Sequence, residues 1–217
     1  MRDLYLRCMI TYDLFSYSDA GSTSCSEIKI PDAEIFLYPS LLSYHEADNL
    51  FDNLKTSIIW EKHKIKLYGG VHDVPRLTAW YGDSNKSYVY SGIKLKTRLW
   101  NSALLKIREK IETISKTKFN SVLLNLYRSG ADSVLWHSDD EPELGTNPVI
   151  GSLSLGEARE FQMKHKYNRD LKQKILLQHG SFLLMKGKTQ HNWLHQIPKR
   201  KNIKGERINL TFRTIIH

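Results

Sequence analysis

Hydrophobic positions change their period near the middle of the chain. In the first half, Ala47, Leu50, Phe51, Leu54 and Ile58 form one stripe, and Trp100, Ala103, Leu104, Ile107, Ile111 and Ile114 form another. Apolar residues three or four apart mark an amphipathic helix with one buried face. The first stripe predicts a helix over "SYHEADNLFDNLKTSI", where Ser43 and Glu46 have capping-box spacing. The second predicts a helix over roughly Leu95–Thr117. A strand-like run, "AEIFLYPSLLS", precedes the first helix. The small polar stretch "SYSDAGSTSCSE" before it reads as a flexible lead-in.

From Asn120 onward the period shortens. "SVLLNLYR", "PVIGSLSLG", "REFQMKHK", "KILLQHGSFLLMKG" and "INLTFRTI" are short apolar or alternating runs divided by Gly, Pro, Asn and Asp. Several short strands with turn signals predict a β-sandwich or barrel. The expected architecture has helices from the first half packed on an all-β second half, in one domain.

Composition narrows the class. The 217 residues suffice for a substantial core, and 41% hydrophobic content is that of a globular chain. A net charge of +9 points to a polyanionic partner, nucleic acid before an anionic membrane surface. Two cysteines, Cys8 and Cys25, do not make a disulfide framework and favour a reducing compartment. Asp3, Arg7 and Asp13 interrupt the apolar N-terminus, so no signal peptide is expected, and no run has membrane-spanning length. The expected location is intracellular: cytoplasmic, or nuclear in a eukaryote.

Against this basic background, "SVLWHSDDEPELG" concentrates one histidine and four acids. In extended chain, residues two apart share a face, so His137 and Asp139 can converge on one cation while Ser138 points away. "TQHNWLHQIPK" brings His191 and His195, and spacing does not choose between them. Two histidines and one carboxylate leave coordination positions open and suit non-haem Fe(II). In "RINLTFR", alternation puts Arg207, Asn209, Thr211 and Arg213 on one face and Ile208, Leu210 and Phe212 on the other. An arginine fork matches a carboxylate, so a dicarboxylate is a natural occupant. Asn125 and Tyr127 in "NLY" likewise share a face.

The order NLYR, then H-x-DD-E, then "SLSLGEAREFQMKHK", "HGSFLLMKGKTQHNWLHQIPK" and "RINLTFR", resembles the AlkB family of Fe(II)- and 2-oxoglutarate-dependent dioxygenases. The resemblance runs from about Tyr68 to the C-terminus and is closest to the eukaryotic-type DNA-repair homologues. It implies a mainly β, α+β fold: a double-stranded β-helix (jelly roll) with supporting helices and an N-terminal nucleotide-recognition lid. Residues 1–30 are then a lead-in and 31–217 a single domain, with the lid at about 60–92 and the jelly-roll core at about 119–217. It further implies His137, Asp139 and His195 as iron ligands, with His191 as a neighbour. Arg207 and Arg213 would hold 2-oxoglutarate, helped by Asn125, Tyr127, Asn209 and Thr211.

The implied reaction consumes O2 and 2-oxoglutarate and demethylates bases such as 1-methyladenine and 3-methylcytosine. Formaldehyde, succinate and CO2 are released. Asp140 would face the cationic base. Tyr68, Gly69, Gly70, Arg76, Tyr81, Tyr88 and Tyr90 would contact the nucleotide, and the basic stretches "KHKYNRDLKQK" and "PKRKNIKGER" its phosphates. DNA stands ahead of RNA as the partner, and a monomer is expected. The alternatives on the same scaffold are an RNA demethylase, a protein or small-molecule hydroxylase, and a catalytically silent nucleic-acid binder.

Overall fold

The computed structural model describes residues 24–67, 70–84, 88–90, 93–95 and 97–216. The chain opens with strands β1 (Ser26–Glu27) and β2 (Glu34–Tyr38), then helix α1 (Tyr44–Ser57). Ser43 caps α1 by the expected box: its hydroxyl accepts from the Glu46 N–H at 3.2 Å, and the Glu46 carboxylate accepts from the Ser43 N–H at 2.8 Å. Two hairpins follow around a longer strand: β3 (Lys64–Leu67) with β4 (Gly70–Asp73), then β5 (Leu77–Gly82), then β6 (Tyr88–Tyr90) with β7 (Ile93–Leu95). After β8 (Arg98–Leu99) comes helix α2 (Ser102–Ser115).

Helix α2 begins later than its apolar stripe predicts. Asn101 is the cap, its side chain accepting from the Leu104 N–H at 2.9 Å, and Leu95 already belongs to β7. Lys116 ends α2 in the left-handed region, φ 54°.

The second half is β9 (Ser121–Tyr127), β10 (Val134–His137), β11 (Ile150–Gly156), β12 (Arg159–His165), β13 (Lys172–Leu177) and β14 (Phe182–Lys186). A one-turn helix α3 (Thr189–Asn192) and strands β15 (Trp193–Ile197) and β16 (Arg207–Arg213) complete it. These strands form two facing sheets. The larger has the order β1-β2-β14-β11-β16-β9-β5-β8 and the smaller β10-β15-β12-β13.

The first half therefore supplies four strands of the larger sheet as well as helices. The pattern of β5, "LTAWYG", explains why: its residues are buried on both faces. A strand buried on both sides reads as a continuous apolar run and lacks the alternation that marks a half-exposed strand.

Alternation along the larger sheet divides the core. Val122, Leu124, Leu126, Leu153, Leu155, Ile208, Leu210 and Phe212 face the helices, packing with Leu54, Leu104, Ile107 and Ile111. Each such fully buried side chain contributes about 1.5–3 kcal/mol. The opposite face meets the smaller sheet, where Leu123, Ile150, Leu183 and Met185 pack on Phe161, Met163, Ile175, Trp193 and Ile197. This inter-sheet layer is apolar at one end and polar at the other, and the polar end holds the site.

Candidate active site

Strand register assembles one wall of a cavity between the sheets. In the β16–β9 pairing, Arg207 lies beside Tyr127 and Asn209 beside Asn125; in β11–β16, Ser154 lies beside Asn209 and Ser152 beside Thr211. All four predicted polar residues of "RINLTFR" line the cavity, as do Asn125 and Tyr127, while Ile208, Leu210 and Phe212 are core. The predicted alternation is thus the observed one.

The facing wall carries His137 from β10 and His195 from β15, which are register partners. A β-bulge makes this pairing. Val134 and His137 are three positions apart, but their partners Ile197 and His195 only two. The bulge absorbs the extra residue in β10, so His137 stays on the same side as Val134 and His195. Asp139 lies past the end of the strand. Its backbone N–H donates to Gln190 Oε1 at 3.0 Å, and its carboxylate Oδ1 accepts from Arg213 Nη2 at 2.7 Å. A loop held by two long-range bonds, beyond any extended strand, therefore brings the carboxylate to the imidazoles.

Ligand atoms of His137, Asp139 and His195 all lie within 4.8 Å of one another, the one such group among the described residues. The His137 Nδ1–H donates to Leu135 O at 2.8 Å, leaving Nε2 as the metal-facing lone pair. Burial, and after it the neighbouring His137, pushes the His195 imidazole down to about 3, so it is neutral and ready to ligate at physiological pH. Burial alone would raise the Asp139 carboxyl. Arg213, then the two imidazoles, overcome that and hold it at about 2. Two neutral imidazoles and one carboxylate are the donor set that suits Fe(II). His191 is not part of it: its Nε2 accepts from the Asn147 N–H at 3.3 Å.

The other end of the cavity fits a carboxylate. Arg207 is 1% exposed, donates from Nη2 to Ser154 Oγ at 2.9 Å, and stacks on Tyr127 at 5.1 Å from the ring centroid. Its Nε and Nη1 have no hydrogen-bond partner. Buried N–H groups on a cation are costly without an acceptor, and a carboxylate supplies one. Burial draws the guanidinium down to about 10, still cationic at neutral pH. A dicarboxylate with a keto-acid end thus fits between metal ligands and arginine.

Residues named for substrate contact divide. Arg76 is buried in the cavity wall, where its Nε donates to Asn125 Oδ1 at 2.6 Å and its Nη1 to Ser133 O at 3.2 Å. Tyr81 is 5% exposed in the helix-side core, because β5 is buried on both faces; the structure removes it from the lid surface. Gly70 begins β4, and Tyr88 and Tyr90 belong to the backbone of β6. Tyr68 and Gly69 lie outside the described residues. Asp140 is exposed, next to the buried Asp139, and pairs with Lys166 Nζ at 2.8 Å.

Sequence reasoning passed over several supporting residues. Gln190 fixes Asp139, and Phe161 stacks on His195 with centroids 5.0 Å apart. Arg159 lies 5.5 Å from the Tyr127 ring, on which Arg207 also packs, and donates to Asp132 O at 2.9 Å and Pro198 O at 2.7 Å. Alternation in "SLSLG" could have flagged Ser152 and Ser154; nothing in the sequence marks Gln190 or Arg159. Among the described residues Cys25 is a free, exposed thiol.

Two sheets enclosing a two-histidine, one-carboxylate group opposite a buried arginine define a jelly-roll oxygenase. Residues 34–213 match the 2OG-Fe(II) oxygenase superfamily. Alpha-ketoglutarate-dependent dioxygenase alkB homolog 3 of Bos taurus is 41% identical over 192 residues, 84% of this chain and 66% of the relative. DNA oxidative demethylase ALKBH2 of Mus musculus is 35% identical over 189 residues, 82% of this chain and 79% of the relative. The chain therefore spans just under two thirds of the first relative's length. The solved structure of OsALKBH1 shares the fold, with TM-score 0.61 and 17% identity over 88% of this chain and 100% of that one. The chain belongs to the 2OG-Fe(II) oxygenase superfamily, in its AlkB branch. No helix among the described residues is long and apolar enough to cross a membrane.

Proposed function

We propose that the protein oxidatively dealkylates N-alkylated nucleic-acid bases, 1-methyladenine and 3-methylcytosine foremost, and acts in repair of alkylated DNA inside the cell. The observation that carries this reading is one cavity that holds His137, Asp139 and His195 at one end and Arg207 at the other. The names of the relatives, a DNA oxidative demethylase among them, and the net charge of +9 support nucleic acid as the substrate.

Iron with 2-oxoglutarate and O2, when bound, supplies the oxidising power: the methyl carbon leaves as formaldehyde, and 2-oxoglutarate becomes succinate and CO2. The chain's own residues bind, orient and exclude water. His137, Asp139 and His195 hold the metal. Arg207, with Tyr127 against it, and Arg213, with Asn125, Asn209 and Thr211, hold the co-substrate. Phe161, Leu123 and Met185 keep the remaining wall apolar. Asp140, exposed beside the buried ligand, marks where a cationic base meets the site. The hairpins β3–β4 and β6–β7, which carry Gly70, Tyr88 and Tyr90, are read as the lid.

The test is turnover of oligonucleotides carrying these bases, single- and double-stranded, DNA and RNA, by protein loaded with Fe(II). Formaldehyde and succinate release that His137→Ala abolishes is the expected result. Iron-loaded protein that turns over none of them, with 2-oxoglutarate consumption indifferent to nucleic acid, would assign the site to a protein or small molecule instead.

A further inference from the structure

We infer that Lys166 is a displaceable counterion of Asp140, exchanged for a strand phosphate on binding, and that this exchange tempers the preference for cationic bases. The inference rests on the proposed function and concerns how that site selects its base.

Lys166 lies just past the end of β12, 26 positions from Asp140 in sequence, yet its Nζ sits 2.8 Å from Asp140 Oδ2. The two partners differ in freedom. Asp140 directly follows Asp139, which Gln190 holds by its backbone and Arg213 by its carboxylate. The acid is therefore carried by a pinned segment. Lys166 is pinned only at its backbone, where its N–H donates to Asn192 O at 2.7 Å. Its four-carbon stem can swing while the main chain stays.

The pair is also easily broken. The Asp140 side chain is 40% exposed, so water reaches the carboxylate, screens the attraction and can take the place of the ammonium. With Lys166 in place, Asp140 is neutralised, and an approaching cation meets an ammonium that already holds the carboxylate. An unmodified or neutral base gains nothing by evicting it. A methylated adenine or cytosine cation does, because it carries its own positive charge to Asp140.

The strand then completes the exchange. A nucleic acid brings phosphates wherever it brings a base, and an ammonium leaving Asp140 finds one as its new partner. One ion pair becomes two, and both requirements must be met together: a phosphate for Lys166 and a cation for Asp140. Without Lys166, the carboxylate would stand bare and favour cations more strongly.

The experiment uses the full chain loaded with Fe(II) and 2-oxoglutarate. Its substrates are single-stranded oligonucleotides identical except for one base: 3-methylcytosine, a cation, or 3-methylthymine, a neutral ring of similar size. Wild type, K166M, D140N and the double variant are compared by KM from formaldehyde release and by direct binding anisotropy. K166M should raise the preference for 3-methylcytosine over 3-methylthymine by roughly three- to fivefold. The same change in a D140N background should leave the ratio where D140N put it. Equal weakening of both oligonucleotides by K166M would overturn the inference and make Lys166 a phosphate contact alone. So would a K166M effect that persists without Asp140. A wild type that turns over neither these oligonucleotides nor one carrying 1-methyladenine would instead overturn the proposed function, and this inference with it.

Discussion

Arg213 donates from Nη2 to Asp139 Oδ1 at 2.7 Å, and each side chain is 2% exposed. A residue from the end of the last strand thus fixes the carboxylate of the metal group. Removing one partner of such a pair leaves a buried charge uncompensated. Arg213→Met should cost about 3–5 kcal/mol of stability in the metal-free protein, measured by urea unfolding. Adding Asp139→Asn should cost less than the sum of the two single losses; strict additivity would show that the contact is energetically idle.

Gln190 acts on the same carboxylate from the backbone side. Gln190→Leu keeps the volume but leaves the Asp139 N–H without its acceptor, a loss of about 1–3 kcal/mol. Supports of this kind typically alter metal affinity about 10- to 100-fold. Competition with a fluorescent chelator should show that weakening, with circular dichroism unchanged. Unaltered metal affinity would reduce Gln190 to a packing residue.

Arg207 should matter to the co-substrate and little to the metal. Arg207→Met removes a charged donor worth about 1.5–3 kcal/mol, so KM for 2-oxoglutarate should rise roughly 10- to 100-fold. Metal content of the purified variant should match wild type. A parallel loss of metal would mean that the two ends of the cavity do not act separately.

Acid sensitivity should also arise away from the site, at Asp132. Burial would raise this carboxyl, but the Arg128 guanidinium and backbone N–H bond it at 2.8–2.9 Å and bring it below the usual carboxylate range. A group lowered in the folded state adds stability that is complete above its unfolded value, about 3.9, and disappears as pH falls through the lowered one. Asp132→Asn should therefore destabilise at pH 6, and the gap should close as pH falls toward 3. Melting temperatures across that range check it, and a constant gap would contradict it.

The core and much of the site were legible because they obey simple periods. The stripe ending at Ile58 gave α1, and alternation in "RINLTFR" separated cavity from core residue by residue. What failed to show lacked a period. Strand β5 is buried on both faces, so no alternation marks it as a strand of the larger sheet, and Tyr81, which the resemblance offers for nucleotide contact, lies in the helix-side core. Helix α2 starts at the Asn101 cap, one residue past the first member of its apolar stripe, and the residues before it belong to short strands that no period marks. Gln190, Arg159 and Lys166 act over 26 or more positions, distances that only the folded chain closes.

The bulge in β10 has a consequence for how this site can change over generations. Strands have two sides, so whether a side chain faces the cavity is a matter of parity. The bulge between Val134 and His137 absorbs one residue, so an odd spacing still leaves both side chains on the cavity side. Deleting Leu135 or Trp136 would leave Val134 and His137 two apart, a spacing that keeps both on one face of a regular strand, so the bulge would vanish while His137 still faced the cavity. The ligand strand thus carries a spare residue, and a one-codon loss at this point would straighten the strand without turning the imidazole away.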